Sequence, residues 1–109
     1  MATTYKVLGQ SNPSAATLTT LYTVPAATST VISTLAICNR SSTSTTYRVA
    51  IRLAGGAVAD EDYIAYDSIV PGNDTVYLTL GIALATTDVV SIYATVATLS
   101  FNAFGSEIA

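Results

Sequence analysis

About eight short runs rich in Val, Ile, Thr and Tyr follow one another along this chain, the first five closed by Gly, Pro or Asn. Runs this short, with turn signals between most of them, suit strands joined by turns. The runs are 3–9, 18–24, 29–38, 46–54, 62–70, 75–82, 88–96 and 97–108. The clearest is "TYRVAIRLA". Alternation puts Tyr47, Val49, Ile51 and Leu53 on one face and Arg48, Ala50 and Arg52 on the other. Helix is harder to place: "LGIALATTD" offers one turn at most, weakened by Gly81 and its threonines. The expectation is an all-β, antiparallel β-sandwich or jelly-roll-like fold over residues 1–109 as one domain. Its expected core is Val31, Leu35, Ile37, Val49, Ile51, Leu78, Leu80, Ile92, Leu99 and Phe101.

One phrase occurs twice. "VPAATSTVISTLAI" starts at Val24 and "VPGNDTVYLTLGI" at Val70, and deleting one residue from the first aligns them. In each, a strand ends at Val-Pro, a short turn follows, and an apolar strand begins. Proline suits such points because it cannot donate to a ladder. Two copies are too few for a solenoid or propeller. Either the two halves of one sandwich are pseudo-symmetric, or cheap β-sheet phrases have converged.

Charge narrows the function. Only 10% of the residues are charged and the formal net charge is −3, against about 25% charged in an average soluble domain. Lys6, Arg40, Arg48 and Arg52 are all the cations there are, too few for the cationic surface that nucleic-acid binding requires. No run is long and apolar enough to span a membrane, and the N-terminus reads as lacking an apolar leader. The outward strand positions are instead Thr, Ser, Ala and Tyr. A surface this weakly charged tends to associate, with copies of itself or with other proteins.

No motif declares a chemistry. The chain has no His, so its lone Cys38 lacks the usual partner of a catalytic thiol and reads as a small buried hydrophobe. Asp60, Glu61, Asp62 and Asp67 do not match the spacing of a calcium loop. They read as a solvated loop, and nothing places two carboxylates across a cleft. Asn39 and Asn73 each begin an N-x-[ST] triplet, common by chance in a chain so rich in Ser and Thr. The expectation is a non-enzyme without cofactor or metal. Its candidate protein-contact residues are Tyr5, Lys6, Arg40, Arg48 and Arg52, in the N-terminal "MATTYKV" segment, the "NRSSTSTT" loop and one strand face.

The phrases "YKVLGQ", "LTTLYTVPA", "STLAICNRSSTSTTYRVAIR", "DYIAYD", "PGNDT" and "LSFNAFGSEI" together resemble small structural proteins of tailed bacteriophages, notably those of aquatic and cyanobacterial hosts. The resemblance extends over nearly the whole chain. It implies a β-sandwich component of the virion, assembled in the host cytoplasm. Some such proteins are head decoration (cement) proteins that clamp capsomers; similar modules occur in tails and fibres. The implied partners are further copies of the chain, with a trimer as the first expectation, and the major capsid protein or other virion proteins. The alternative implied is a tail or fibre module that recognises a host-surface glycan.

Overall fold

The structure, a computed structural model, describes residues 2–109, so Met1 of the expected contact segment lies outside the described residues. Among the described residues nine strands form: β1 (Thr3–Ser11), β2 (Thr19–Thr23), β3 (Ser29–Asn39), β4 (Thr45–Arg52), β5 (Tyr63–Val70), β6 (Thr75–Leu78), β7 (Ile82–Leu84), β8 (Val89–Ala94) and β9 (Leu99–Ile108). All pairings are antiparallel. The first sheet has the order β1-β9-β3-β6, with β7 also on β3, and the second has the order β2-β8-β4-β5. Taking β6 and β7 as one interrupted strand, β1 pairs with β9, β2 with β8, β3 with β6–β7 and β4 with β5. That is a long hairpin rolled into two facing sheets, the jelly-roll connection.

The core lies between the sheets, and alternation explains its membership. From β3 come Ile32, Leu35 and Ile37, from β4 Tyr47 and Val49, from β8 Val90 and Ile92, and from β9 Leu99, Phe101 and Ala103. The Tyr47 ring meets the edge of Phe101 at 6.4 Å between centroids, a favoured aromatic geometry.

Two expected core residues, Val31 and Leu80, lie outside the core, and two more lie at its margin. In β3 a bulge at Ser33 shifts the register, so Ile32 faces Gly105 but Thr34 faces Phe104. Ile32 therefore points inward and is fully buried, while Val31 turns to the outer face. The expected sixth strand breaks into β6 and β7. Leu78 stands opposite Leu35 and Ile82 opposite Ile32, so Thr79, Leu80 and Gly81 have only Ser33 and Thr34 to face. The chain bends outward there, with Gly81 at φ +64°, and Leu80 is exposed. Ile51 and Leu78 pack at the core margin, partly buried. Leu53, expected on the inner face of the fourth strand, is exposed in a 3₁₀ turn that ends β4.

Both Val-Pro steps occupy matching places. Val24 and Val70 are buried, each is the last core residue before the chain leaves the second sheet for the first, and Ala27 and Asn73 both take φ +53°. Because β3 and β6 are antiparallel, the two turns lie at opposite ends of the sandwich. The likeness stops there: β3 is an interior strand between β9 and β6–β7, whereas β6–β7 is an edge. The repeat is one of turn and strand entry, since the strand order does not repeat with it.

Candidate functional site

The outer face of the first sheet is built from alternate residues of its strands. Tyr5 pairs across to Ser106, which pairs to Val31 and on to Ala83. The next row is Val7 and Phe104, and beyond it lie Asn102, Ala36 and Tyr77. Among the described residues, none of these outward positions carries a charge. Tyr5 is 83% exposed, Tyr77 67% and Leu80 56%. Between Tyr5, Val7, Val31, Ser33 and Phe104 the surface dips into an open depression of about 460 Å³. The Ser33 bulge that re-aims Val31 is what brings this valine to the depression, a device bulges commonly serve.

The outer face of the second sheet has another character. Arg48 sits on β4 opposite Tyr93 of β8. On its other side β5 bulges: Ala65 faces Val49 and Ser68 faces Tyr47, leaving both Tyr66 and Asp67 against Arg48. Asp67 takes φ +49°, a conformation aspartate tolerates better than most residues. Arg48 Nε donates to Asp67 Oδ1 at 2.7 Å. Its guanidinium lies 4.1 Å from the Tyr66 ring centre and 4.4 Å from that of Tyr93. Tyr63 stands edge-on to Tyr66 at 4.9 Å. The hydrogen bond from Arg48 to Asp67, more than any other influence, raises the guanidinium pKa.

The other cations also spend their donors within the fold. Arg52 donates from Nε to Gly56 O at 2.7 Å, from Nη2 to Gly55 O at 2.8 Å and from Nη1 to Ser91 Oγ at 3.3 Å. It thereby clamps the 53–62 loop across the outer face, where the loop's two 3₁₀ turns touch β8 and β4. This cover is why Ala50 and Ser91 are fully buried although they point away from the core. Arg40 donates to Asn12 Oδ1 at 2.8 Å and Ala97 O at 3.2 Å. Lys6 pairs with Glu107 at 3.1 Å. Of the five expected contact residues, Tyr5 and Lys6 lie on β1, Arg48 and Arg52 face outward from the opposite sheet, and Arg40 stands beside Asn12 and Ala97. The structure does not gather them into one patch.

Glu107 belongs to a network that sequence reasoning did not pick out. The Tyr22 hydroxyl donates to Glu107 Oε2 at 2.6 Å and lies 2.8 Å from the buried Thr30 hydroxyl. Burial and the adjacent carboxylate push the Tyr22 phenol up to about 12. The Tyr22 and Lys6 hydrogen bonds lower Glu107. Nothing in the local sequence pairs positions so far apart.

Asn39, read as a chance triplet, is almost fully buried. Its amide nitrogen donates to Thr43 O at 2.9 Å and faces Val70 O and Pro71 O at longer range, while its oxygen accepts from the Ser41 N–H at 3.0 Å. It organises the polar loop and the second Val-Pro turn. Asp88 does similar work, accepting from Ala54 N and Ala85 N. Asp62 accepts from Ala59 N, and Asp67 is drawn away to Arg48. Among the described residues no three Cys, Asp or Glu side chains converge on a common point, and no helix is long and apolar enough to cross a membrane. No protein-family model matches the chain, and no curated protein or solved structure matches it.

Proposed function

We propose that this chain is a structural protein of a tailed-bacteriophage virion, acting on the head exterior as a decoration protein that reinforces the shell by protein–protein contacts. The observation that carries the reading is the uncharged outer face of the first sheet, with Tyr5, Val7, Phe104, Tyr77 and Leu80 open to solvent. Contiguous apolar surface of this kind marks a place where another protein sits. Its partners are further copies of the chain, with a trimer as the first expectation, and the major capsid protein. Binding and stiffness suffice for this role, and no cofactor or reacting group is invoked. A packed genome presses outward on its shell, and many modest patches acting together hold the seams, each contact raising the effective concentration of the next. The four cations are already engaged within the fold, so the Tyr5 side of the molecule carries more of this contact than Arg48 and Arg52. The test compares particles with and without the protein. Those lacking it should release DNA at lower temperature or milder osmotic shock and still adsorb to host cells. Unchanged robustness with lost adsorption would overturn the reading.

A specific observation favours a second reading, a tail or fibre module for a host-surface glycan. Tyr63, Tyr66 and Tyr93 lie around Arg48 and Asp67 on the opposite face. Aromatic rings beside oriented polar groups suit a sugar, which offers C–H faces and hydroxyls together. A glycan-array signal abolished by Tyr66→Ala, with no effect of the protein on shell robustness, would promote this alternative.

A further inference from the structure

We propose that the N-terminal half of β1 pairs with the same segment of a second copy, joining two first sheets across a two-fold axis at Tyr5. The sandwich has four edges: β1, β6–β7, β2 and β5. Three are broken. β5 bulges at Tyr66–Asp67, β2 shifts register between Thr20 and Tyr22, and β6–β7 is interrupted at Gly81. Such irregularities are how β proteins blunt an edge against further pairing. β1 is irregular only at Leu8, between Val7 and Gly9. From Thr3 to Val7 it is regular, exposed and free of proline. Its one charge, Lys6, is directed to Glu107.

The ladder reveals what this edge offers. Ala2 and Ala109 exchange both backbone hydrogen bonds, at 2.8 and 2.9 Å. In an antiparallel ladder such pairs alternate, so Thr4 and Lys6 turn their N–H and C=O toward β9. Thr3, Tyr5 and Val7 turn theirs outward along the open edge. That set is its own complement. With two copies antiparallel about Tyr5, each Tyr5 exchanges both bonds with the partner's Tyr5, and Thr3 does so with the partner's Val7. Lys6 then stands across from the partner's Thr4, so no like charges face each other directly. The same register places the two depressions beside Tyr5, Val7 and Phe104 side by side, turning two uncharged faces into one. A strand of another protein would satisfy the same backbone groups. It would not explain why an unblunted stretch is centred on the residue that makes it self-complementary. A five-residue ladder is small beside the about 1,600 Å² of a standard interface. The contact is therefore weak in dilute solution and strengthens where copies are held close together. It is two-fold, and so differs from the trimer contact expected above; it does not rest on the virion reading.

The experiment uses the isolated protein with Cys38→Ser as background. Hydrogen-bonded antiparallel pairs place Cα atoms about 5.5 Å apart, within disulfide range. Tyr5→Cys should therefore cross-link under mild oxidation to a species of twice the 11.2 kDa chain mass. Thr3→Cys alone should not, since about four residues of strand separate its copies by roughly 13 Å, yet Thr3→Cys mixed with Val7→Cys should. Sedimentation equilibrium from micromolar to millimolar protein should show reversible dimers. Tyr5→Pro, which removes only an outward N–H, should abolish them, and Tyr5→Lys, which sets like charges face to face, should do the same with an unchanged circular dichroism spectrum. A monomer at millimolar concentration overturns the pairing, as does Thr3→Cys cross-linking alone as fast as Tyr5→Cys. If the protein stays monomeric while Tyr5→Lys still prevents attachment to particles, the edge takes a strand of a shell protein and self-pairing is wrong.

Discussion

The Tyr22 hydroxyl reaches from β2 in the second sheet to donate a 2.6 Å hydrogen bond to Glu107 on β9 in the first. With the Tyr22 oxygen taking Thr30 as its other partner, one phenol ties three strands at an end of the sandwich where the apolar core runs out. Tyr22→Phe leaves the Glu107 acceptor and the Thr30 hydroxyl without that partner. The expected loss is about 1–3 kcal/mol of unfolding free energy, read as a lower urea midpoint with unchanged slope. An unchanged midpoint would show that water replaces the phenol without cost.

The same pair makes the fold's stability depend on pH at both extremes. Glu107 is held below its ordinary value, so its contribution is complete above the unfolded carboxylate range, near 4.5, and is lost as pH falls through the lower folded value. Tyr22 is raised to about 12, so its contribution is complete below about 10, the unfolded phenol value, and is lost as pH rises from there toward 12. Melting curves should fall at both extremes. Tyr22→Phe should flatten the alkaline limb, and an unaltered limb would assign it to other groups.

Neighbouring residues of similar chemistry should differ sharply. Ile32 is fully buried and Leu80 is more than half exposed. Ile32→Ala should cost about 2–5 kcal/mol through lost burial and a cavity, whereas Leu80→Ala should stay within about 0.5 kcal/mol. Equal losses in chemical denaturation would mean that Leu80 is not at the surface.

The two Val-Pro turns make another contrast. Ala26 in the first corresponds to Gly72 in the second, so alignment alone suggests that Gly72→Ala is harmless. A Cβ at Gly72 would lie 2.1 Å from the backbone oxygen of Ser42, which must then move away and strain the bond from Asn73 N to Ser41 O. Gly72→Ala should lower the melting temperature by several degrees. A wild-type melting temperature would show that the loop yields freely.

Arg52→Ala removes the donors to Gly55, Gly56 and Ser91 together. Amide hydrogen exchange should quicken across residues 53–62 and at Ser91, now uncovered, while β3 and β9 keep their protection. Uniform exchange across the chain would make the arginine a global stabiliser.

Strand identity was legible because it depends on local alternation and punctuation. β1, β2, β3, β4, β5, β8 and β9 begin and end within two residues of where composition and turn signals put them, and Leu35, Ile37, Val49, Ile92, Leu99 and Phe101 are in the core as the period-2 pattern requires. The faces were legible only up to the first irregularity. One extra residue at Ser33 reverses the face of everything before it, which exchanged Val31 for Ile32. The widened stretch at Thr79–Gly81 expelled Leu80. A bulge is a property of two strands compared, and a single run of sequence carries only one of them.

The surfaces separate in the same way. By itself the sequence determined an all-β chain, poor in charge, with tyrosines and small polar residues left for its exterior. Only the tertiary structure decided which of these meet: Tyr66 and Asp67 with Arg48, Tyr22 with Glu107, and Tyr5 and Phe104 around one open depression. Alternation along a strand is enforced by the backbone of that strand alone. Contacts across a jelly roll join residues up to 107 positions apart, as Ala2 and Ala109 are, and they follow from register and sheet order, which the chain fixes only when all its strands pack together.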